Sequence, residues 1–485
     1  MKYPSPGKFK TVEEFRQHWR EVAPGMDCDT ELLGAAGPLG EPLELGPRTL
    51  SNRFVTHPME GWDGEKDGLP SPLTLRRWRN FGRSGAKLIW GGEAYAVQED
   101  GKANARQLFL NPKADAERGL TRLRRELRAG HEEVGEDPDE LYIGLQLTHS
   151  GRFARPFGPE LQPRIAYHHP ALDAKFGIDP ALQPLSDGEL EAIGENYVRA
   201  AVLAASAGYD FVDLKCCHGY LMHELLGARA REGSYGGSFE NRTRLFRRIL
   251  KGIRSASPKL EVGARVSVGD LFPFTPDEQT QVGEPAGWDA ELPQKHGFGL
   301  RRDDPREMAL EEPLRFLGLL EELGIRLVNI TLGSPYYCPH LSRPAAYPPS
   351  DGYLPPEDPL RSVARHIEAV RRCKEAYPEL ILVGTGYTYL QEYAANVAQY
   401  EIGHGHVDCV GFGRMMLSYP ELPLDVLRGR ELDRRRICRT FSECTTAPRS
   451  GMVSGCYPLD NFYKALPEGE RMKELRKAGT KRPSR

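Results

Sequence analysis

The chain has 485 residues, a formal charge of −3 and 27% charged residues of mixed sign. That length suits a complete barrel with insertions or two to three ordinary domains, and the charge balance argues against a nucleic-acid or acidic-membrane partner. No run of about eighteen apolar residues suggests a membrane span, MKYPSPGKFK lacks the apolar core of an export signal, and nine cysteines fit reduced thiols, so a cytoplasmic protein is expected.

Residues 1–45 read as an N-terminal extension, in which Thr11 to Val22 predicts a short helix before the Gly/Pro-rich AAGPLGEPLELGP. Between 46 and 430, strand-like runs alternate with helical patterns. The runs are Arg53–His57, Ala86–Gly91, Leu141–Thr148, Phe211–Leu214, Leu260–Val266, Arg326–Thr331, Leu380–Gly384 and Val407–Gly411. Helices are expected at Ser186–Ala207, where Ser186 and Glu189 have capping-box spacing, and at Pro359–Tyr377. Eight strands, each followed by a helix, predict an α/β protein, a (β/α)8 TIM barrel, with a doubly wound open sheet as the alternative. Two long connections, Leu271–Glu311 and Ser334–Asp358, leave C-terminal strand ends, where long loops cover a substrate. In the C-terminal segment, 431–485, the alternation stops, and the basic tail KELRKAGTKRPSR is expected to be solvated or disordered.

The strand ends carry the chemistry. The fourth strand, FVDL, turns polar at its end and presents Lys215, His218 and Tyr220 within six residues. The first ends in Pro58-Met59-Glu60, the second in Gly91-Gly92-Glu93, the third carries Gln146 and the fifth Arg265. Gly384 and Gly386 follow the seventh strand, and Gly413-Arg414 follows the eighth. Such glycines let backbone N–H groups approach a phosphate, and Arg414 adds charge. A phosphate there, with Gln146 and Arg265 toward a ring, suits flavin mononucleotide (FMN), although Gln146 alone reads equally as a satisfied polar barrel residue. Lys215 alone also admits a flavin-free lyase working through a Schiff base.

The stretches NRFVTHPM, LIWGGEA, QLTHSGR, HGYL with YGGSFENR, and FGRMMLSYPEL resemble, in order, the signatures of the Old Yellow Enzyme family of NADH:flavin oxidoreductases. The double glycine and the C-terminal cysteines are more similar to the subgroup of 2,4-dienoyl-CoA reductase and trimethylamine dehydrogenase, though with no second flavin or nicotinamide domain expected here. The resemblance implies FMN held by Pro58, Met59, Glu60, Gly92, Gln146, Arg265, Gly384, Gly386, Gly413 and Arg414, with NAD(P)H as reductant and an α,β-unsaturated carbonyl compound as substrate. His218 falls on the second member of the pair that holds the substrate carbonyl, Lys215 stands where the first is histidine, and Tyr220 falls on the proton donor. Lys215 and His218 are expected to converge on one substrate oxygen, with a Lys215–Glu60 ion pair as the competing arrangement. An amine or dienoyl-thioester oxidoreductase with a 4Fe-4S cluster is the alternative function. Cys444 and Cys456 match the cluster's last two ligands, but Cys438 is one place out of register and Ile437 and Thr440 occupy the first two positions, so a decayed site is expected. A homo-oligomer is left open.

Overall fold

The computed structural model describes residues 3–46 and 48–479. Alternation along short, buried strands decides the architecture, because successive side chains point to opposite faces. Eight strands pair in parallel in chain order: β1 (Phe54–Thr56), β2 (Leu88–Ile89, continued by Ala94–Ala96), β3 (Tyr142–Thr148), β4 (Phe211–Cys216), β5 (Glu261–Gly269), β6 (Leu327–Leu332), β7 (Ile381–Gly384) and β8 (Cys409–Phe412). The last returns to the first, Phe412 against Thr56, so the sheet closes and the open-sheet alternative fails. A helix follows each strand. The third of these, Asp187–Ser206, starts with the anticipated capping box between Ser186 and Glu189.

One face of the alternation fills the barrel. Val55, Leu88, Tyr142, Phe211, Leu327, Ile381, Val383 and Cys409 form its apolar floor, which Leu45 and Leu50 of the hairpin Leu43–Leu45/Arg48–Leu50 close from below. The other face packs on the helices in a second, larger core. Two steps along the inward face the residue types change: Gln146 follows Tyr142 and Gly144 on β3, while Asp213 and Lys215 follow Phe211 on β4. The polar upper layer is therefore the continuation of the apolar floor.

Four segments outside the barrel strands complete the fold. Helix Val12–Val22 buries Phe15 and Trp19 in the main core, with Phe15 stacked on Tyr393 at 4.4 Å, so part of the sequence-defined extension packs as barrel surface. The two long connections are joined to each other, Gly283 N–H donating to the carbonyl of Leu354 and Leu354 N–H to that of Gln281, and Phe274 N–H donates to the carbonyl of Tyr337. Residues 473–479 of the basic tail are the last turns of helix Pro467–Gly479, a correction to the disordered reading; residues 480–485 lie outside the described residues.

Candidate active site

The upper layer is organised by Asp213. Its Oδ2 accepts from Trp90 Nε1 at 2.7 Å and from Gln146 Nε2 at 2.6 Å, and its Oδ1 accepts the backbone N–H of Arg265 at 2.7 Å. Burial pushes its carboxyl up to about 6, against these three donors and the Arg265 charge. A carboxylate only accepts, so the amide nitrogen of Gln146 faces Asp213 and its carbonyl oxygen is left for an external donor. Arg265 is buried, its Nε has no partner, and it forms no ion pair among the described residues. Burial pulls its pKa down, opposed by Cys217 and Asp213. A buried, unpaired guanidinium is costly unless an anionic group meets it.

The β4 end turns through two successive left-handed residues, His218 at φ 66° and Gly219 at φ 76°. Such a conformation is uncommon for a non-glycine residue, and three hydrogen bonds hold it. His218 N–H donates to Ser267 Oγ at 3.1 Å, Ser334 Oγ donates to the His218 carbonyl at 2.7 Å, and Gly219 N–H donates to His223 Nδ1 at 2.9 Å. The His218 imidazole is half-buried and makes no hydrogen bond among the described residues. Burial, then Arg265 and Lys215, depress its pKa, so it is a neutral imidazole with an N–H to donate.

Tyr220 is buried. Its hydroxyl donates to Glu60 Oε2 and lies 2.8 Å from the hydroxyl of Tyr336. Glu60 Oε1 accepts from Asn104 Nδ2 at 3.2 Å. The ammonium of Lys215 sits 3.7 Å from the centroid of the Tyr220 ring. No Lys215–Glu60 ion pair exists among the described residues, and the Lys215 ammonium covers the phenol. Register places it there: Lys215 is the last inward residue of β4, and His218 is the first residue of the left-handed turn beyond the strand. Met59 pairs with Glu93, and Gly61 N–H donates to Glu93 Oε1 at 2.8 Å, which ties the Pro58–Gly61 turn to the kink in β2 at Gly91-Gly92. Gly92, at φ 39°, leaves no room for a side chain against Trp78.

At the opposite rim, Gly386 adopts φ 103° after β7, and the N–H groups of Gly413 and Arg414 have no partner among the described residues. A Cβ at Gly413 would meet only His57 Cβ, at 3.9 Å, so this backbone is open to a ligand. Arg414 Nη2 donates to the carbonyl of Pro344 at 2.8 Å while Nη1 has no partner. Burial and the neighbouring Arg343 lower its pKa to about 10. Gly384 lies at the end of β7 beside the Tyr387 ring. His57 packs on Gly411 and accepts from Asn329 Nδ2 at 3.1 Å, tying β1, β6 and β8 together beneath the cradle. The donors at this rim suit a phosphate, and Arg265 with Gln146 suits the N1–O2 and amide edges of a flavin ring.

Cys444 comes close enough to Cys438 and Cys456 to act on both thiols, and Arg414 lies beside Cys438. Burial pushes the Cys438 and Cys456 thiols up. Among the described residues no group of three metal-ligating side chains has the arrangement of a metal site. Sequence reading missed Asp213, Arg343, Tyr336, Ser267 and Ser334. Only Asp213 left a signal, a carboxylate inside the buried strand FVDL.

A closed parallel barrel with an open anion cradle after β7 and β8, and an unpaired arginine and a free amide oxygen facing its mouth, defines an enzyme barrel built for a phosphorylated ring cofactor. The chain belongs to the NADH:flavin oxidoreductase / NADH oxidase family, which matches residues 38–287 and whose cofactor is FMN. An NADH:flavin oxidoreductase of Gibberella zeae is 27% identical over 281 residues, covering 53% of this chain and 65% of that protein. An NADH oxidase of Thermoanaerobacter brockii is 26% identical over 398 residues, covering 81% of this chain and 51% of that one. The chain thus spans less than two thirds of either relative. The fold is also that of an old yellow enzyme homologue from Zymomonas mobilis, at a TM-score of 0.52 and 18% identity over 81% of this chain and 93% of that one. Membership replaces the flavin-free lyase reading of Lys215.

Proposed function

We propose that the protein is an FMN-dependent oxidoreductase that takes hydride from a nicotinamide and passes it to an alkene activated by a carbonyl group. The observation that supports this best is the pairing, at one barrel mouth, of a neutral imidazole donor with a phenol, His218 and Tyr220, beside Gln146 and Arg265. Gly384, Gly386, Gly413 and Arg414 would hold the phosphate. Gln146 and Arg265 would hold the ring, with Pro58, Met59 and Gly92 lining its edge. Bound FMN supplies the hydride chemistry. The chain supplies the rest: His218 donates to the substrate oxygen, where negative charge develops, and Tyr220 delivers a proton to the carbon α to that carbonyl. The joined loops 271–310 and 334–358 limit water at the mouth.

The test is a visible spectrum with iron analysis, followed by NAD(P)H oxidation with 2-cyclohexen-1-one as acceptor. Flavin bands and acceptor-dependent turnover are expected. A protein that stays colourless with added FMN, or a flavoprotein that leaves the enone unreduced, refutes the proposal.

A further inference from the structure

The guanidinium of Arg414 at the β8 end is only half satisfied, with Nη2 on the Pro344 carbonyl at 2.8 Å and a buried Nη1 without a partner. The residue before Pro344 is a second arginine. Arg343 is half-buried, and its side chain makes no hydrogen bond, ion pair or ring contact among the described residues. Its place is fixed by the loop that carries it. Arg343 N–H donates to the Pro339 carbonyl at 2.9 Å, and Ala346 N–H donates to Thr440 Oγ1 at 3.0 Å. Earlier in the same loop, Ser334 Oγ holds the His218 carbonyl and the Tyr336 hydroxyl meets that of Tyr220. The loop after β6 thus runs along the mouth from the end of β4 to the end of β8.

Arg343 adds to burial in lowering the proton affinity of Arg414, of Arg449 on helix Glu443–Arg449 and of His218, so it stands among groups from three separate segments. Neighbouring guanidinium groups repel, and the arrangement is costly unless an anion meets them. The carboxylates of this region are engaged elsewhere: Glu60 accepts from Tyr220 and Asn104, and Asp351 pairs with Arg449.

We propose that Arg343 is a second arginine of the phosphate site, reaching the FMN phosphate from the loop after β6 while Arg414 and the open N–H groups of Gly413 and Arg414 hold it from β8. This rests on the placement of the phosphate proposed above. A phosphate monoester carries nearly two negative charges at neutral pH and offers three acceptor oxygens, enough for two guanidinium forks and the backbone donors together. Arg414 alone would leave one of those charges unmatched. A flavin without phosphate would leave both arginines unrelieved, so the site discriminates FMN from riboflavin through charge, whereas Gln146 and Arg265 meet the ring that the two flavins share.

The test uses full-length protein loaded with FMN or, by exchange against excess, with riboflavin. Each dissociation constant is read from the recovery of flavin fluorescence on dilution, at low and high ionic strength. Arg343→Met keeps an unbranched stem and removes the charge. It should bind FMN about 10–150-fold more weakly and riboflavin as the wild type does, and its FMN affinity should vary less with salt. Arg343→Lys keeps the charge without the fork and should fall between the two, which decides the matter if the methionine variant does not fold. An Arg343→Met protein with wild-type FMN affinity overturns the proposal, and a raised KM for a carboxylate-bearing enone would then assign Arg343 to the substrate. Equal weakening of FMN and riboflavin also overturns it, since the phosphate would not be the group recognised. Arg414→Ala separates the two readings: if neither variant alters FMN affinity the phosphate is not at the β8 end, and if Arg414→Ala alone weakens it, only the role of Arg343 falls.

Discussion

Replacing Lys215 with methionine should make the protein more stable and less active, and the two effects have different origins. Lys215 is 5% exposed, and burial holds its pKa below the ordinary lysine range, with Cys217 and Glu60 opposing. The ammonium's one close contact is the face of the Tyr220 ring at 3.7 Å, with no carboxylate in ion-pair contact among the described residues. An inadequately compensated buried polar group costs about 1–3 kcal/mol, of which the aromatic face offsets up to about 2, so the methionine variant should gain up to about 1 kcal/mol at neutral pH. The sign with pH follows from the lowered pKa. Between the folded value and the unfolded value near 10.4, the unfolded chain binds more protons, so wild-type stability rises with pH through that window. The advantage of the variant should therefore shrink as pH approaches 10. Chemical denaturation of flavin-loaded protein at several pH values measures this. Catalysis should move the other way. A desolvated cation over an aromatic face is worth about 2 kcal/mol, and losing it where phenolate character develops predicts about a 30-fold slower substrate half-reaction. A variant that is less stable at neutral pH, with a pH-independent difference, would show that Lys215 has a compensating partner and refute the reasoning.

Arg77 joins Asp63 at 2.8 Å and Glu93 at 2.6 Å in a buried network beneath the β2 kink. Arg77→Ala leaves two buried carboxyls uncompensated and should cost about 3–5 kcal/mol in urea denaturation. Arg414→Ala should weaken FMN binding by about 1.5–3 kcal/mol, read as recovery of free-flavin fluorescence on dilution; unchanged affinity would move the phosphate away from the β8 end. Burial lowers His223 to about 4, so between that value and the unfolded value near 6.5 the unfolded state binds the extra proton and stability falls as pH falls. His223→Gln should remove up to roughly 3 kcal/mol of that acid sensitivity, and an unaltered slope between pH 7 and 4 would exclude His223 as its source.

The sequence by itself determined the barrel and the polar end of β4. Eight short apolar runs separated by helical patterns admit few closures, and Lys215, His218 and Tyr220 stand out because cations, imidazoles and phenols are expensive at the end of a buried strand. The glycines after β7 and β8 were legible for a similar reason, since Gly386 at φ 103° is a conformation that side chains avoid. Helix Val12–Val22 was legible as a helix but not as barrel surface: Phe15 and Trp19 lie on one stripe, yet the stacking partner of Phe15, Tyr393, is set by tertiary packing.

What the tertiary structure alone decided is which group each of these residues meets. Glu60 and Tyr220 are 160 positions apart, and Tyr336 is 116 beyond Tyr220, so no local spacing encodes their contact. Barrel closure brings the ends of β1, β4 and β6 to one mouth, and strand register sends Lys215 over the phenol. Residue type gave the chemistry available at the site. The partner that tunes each group's proton affinity depends on distances of a few ångströms across the barrel, because electrostatic and hydrogen-bond effects fall off too steeply to be read from order along the chain.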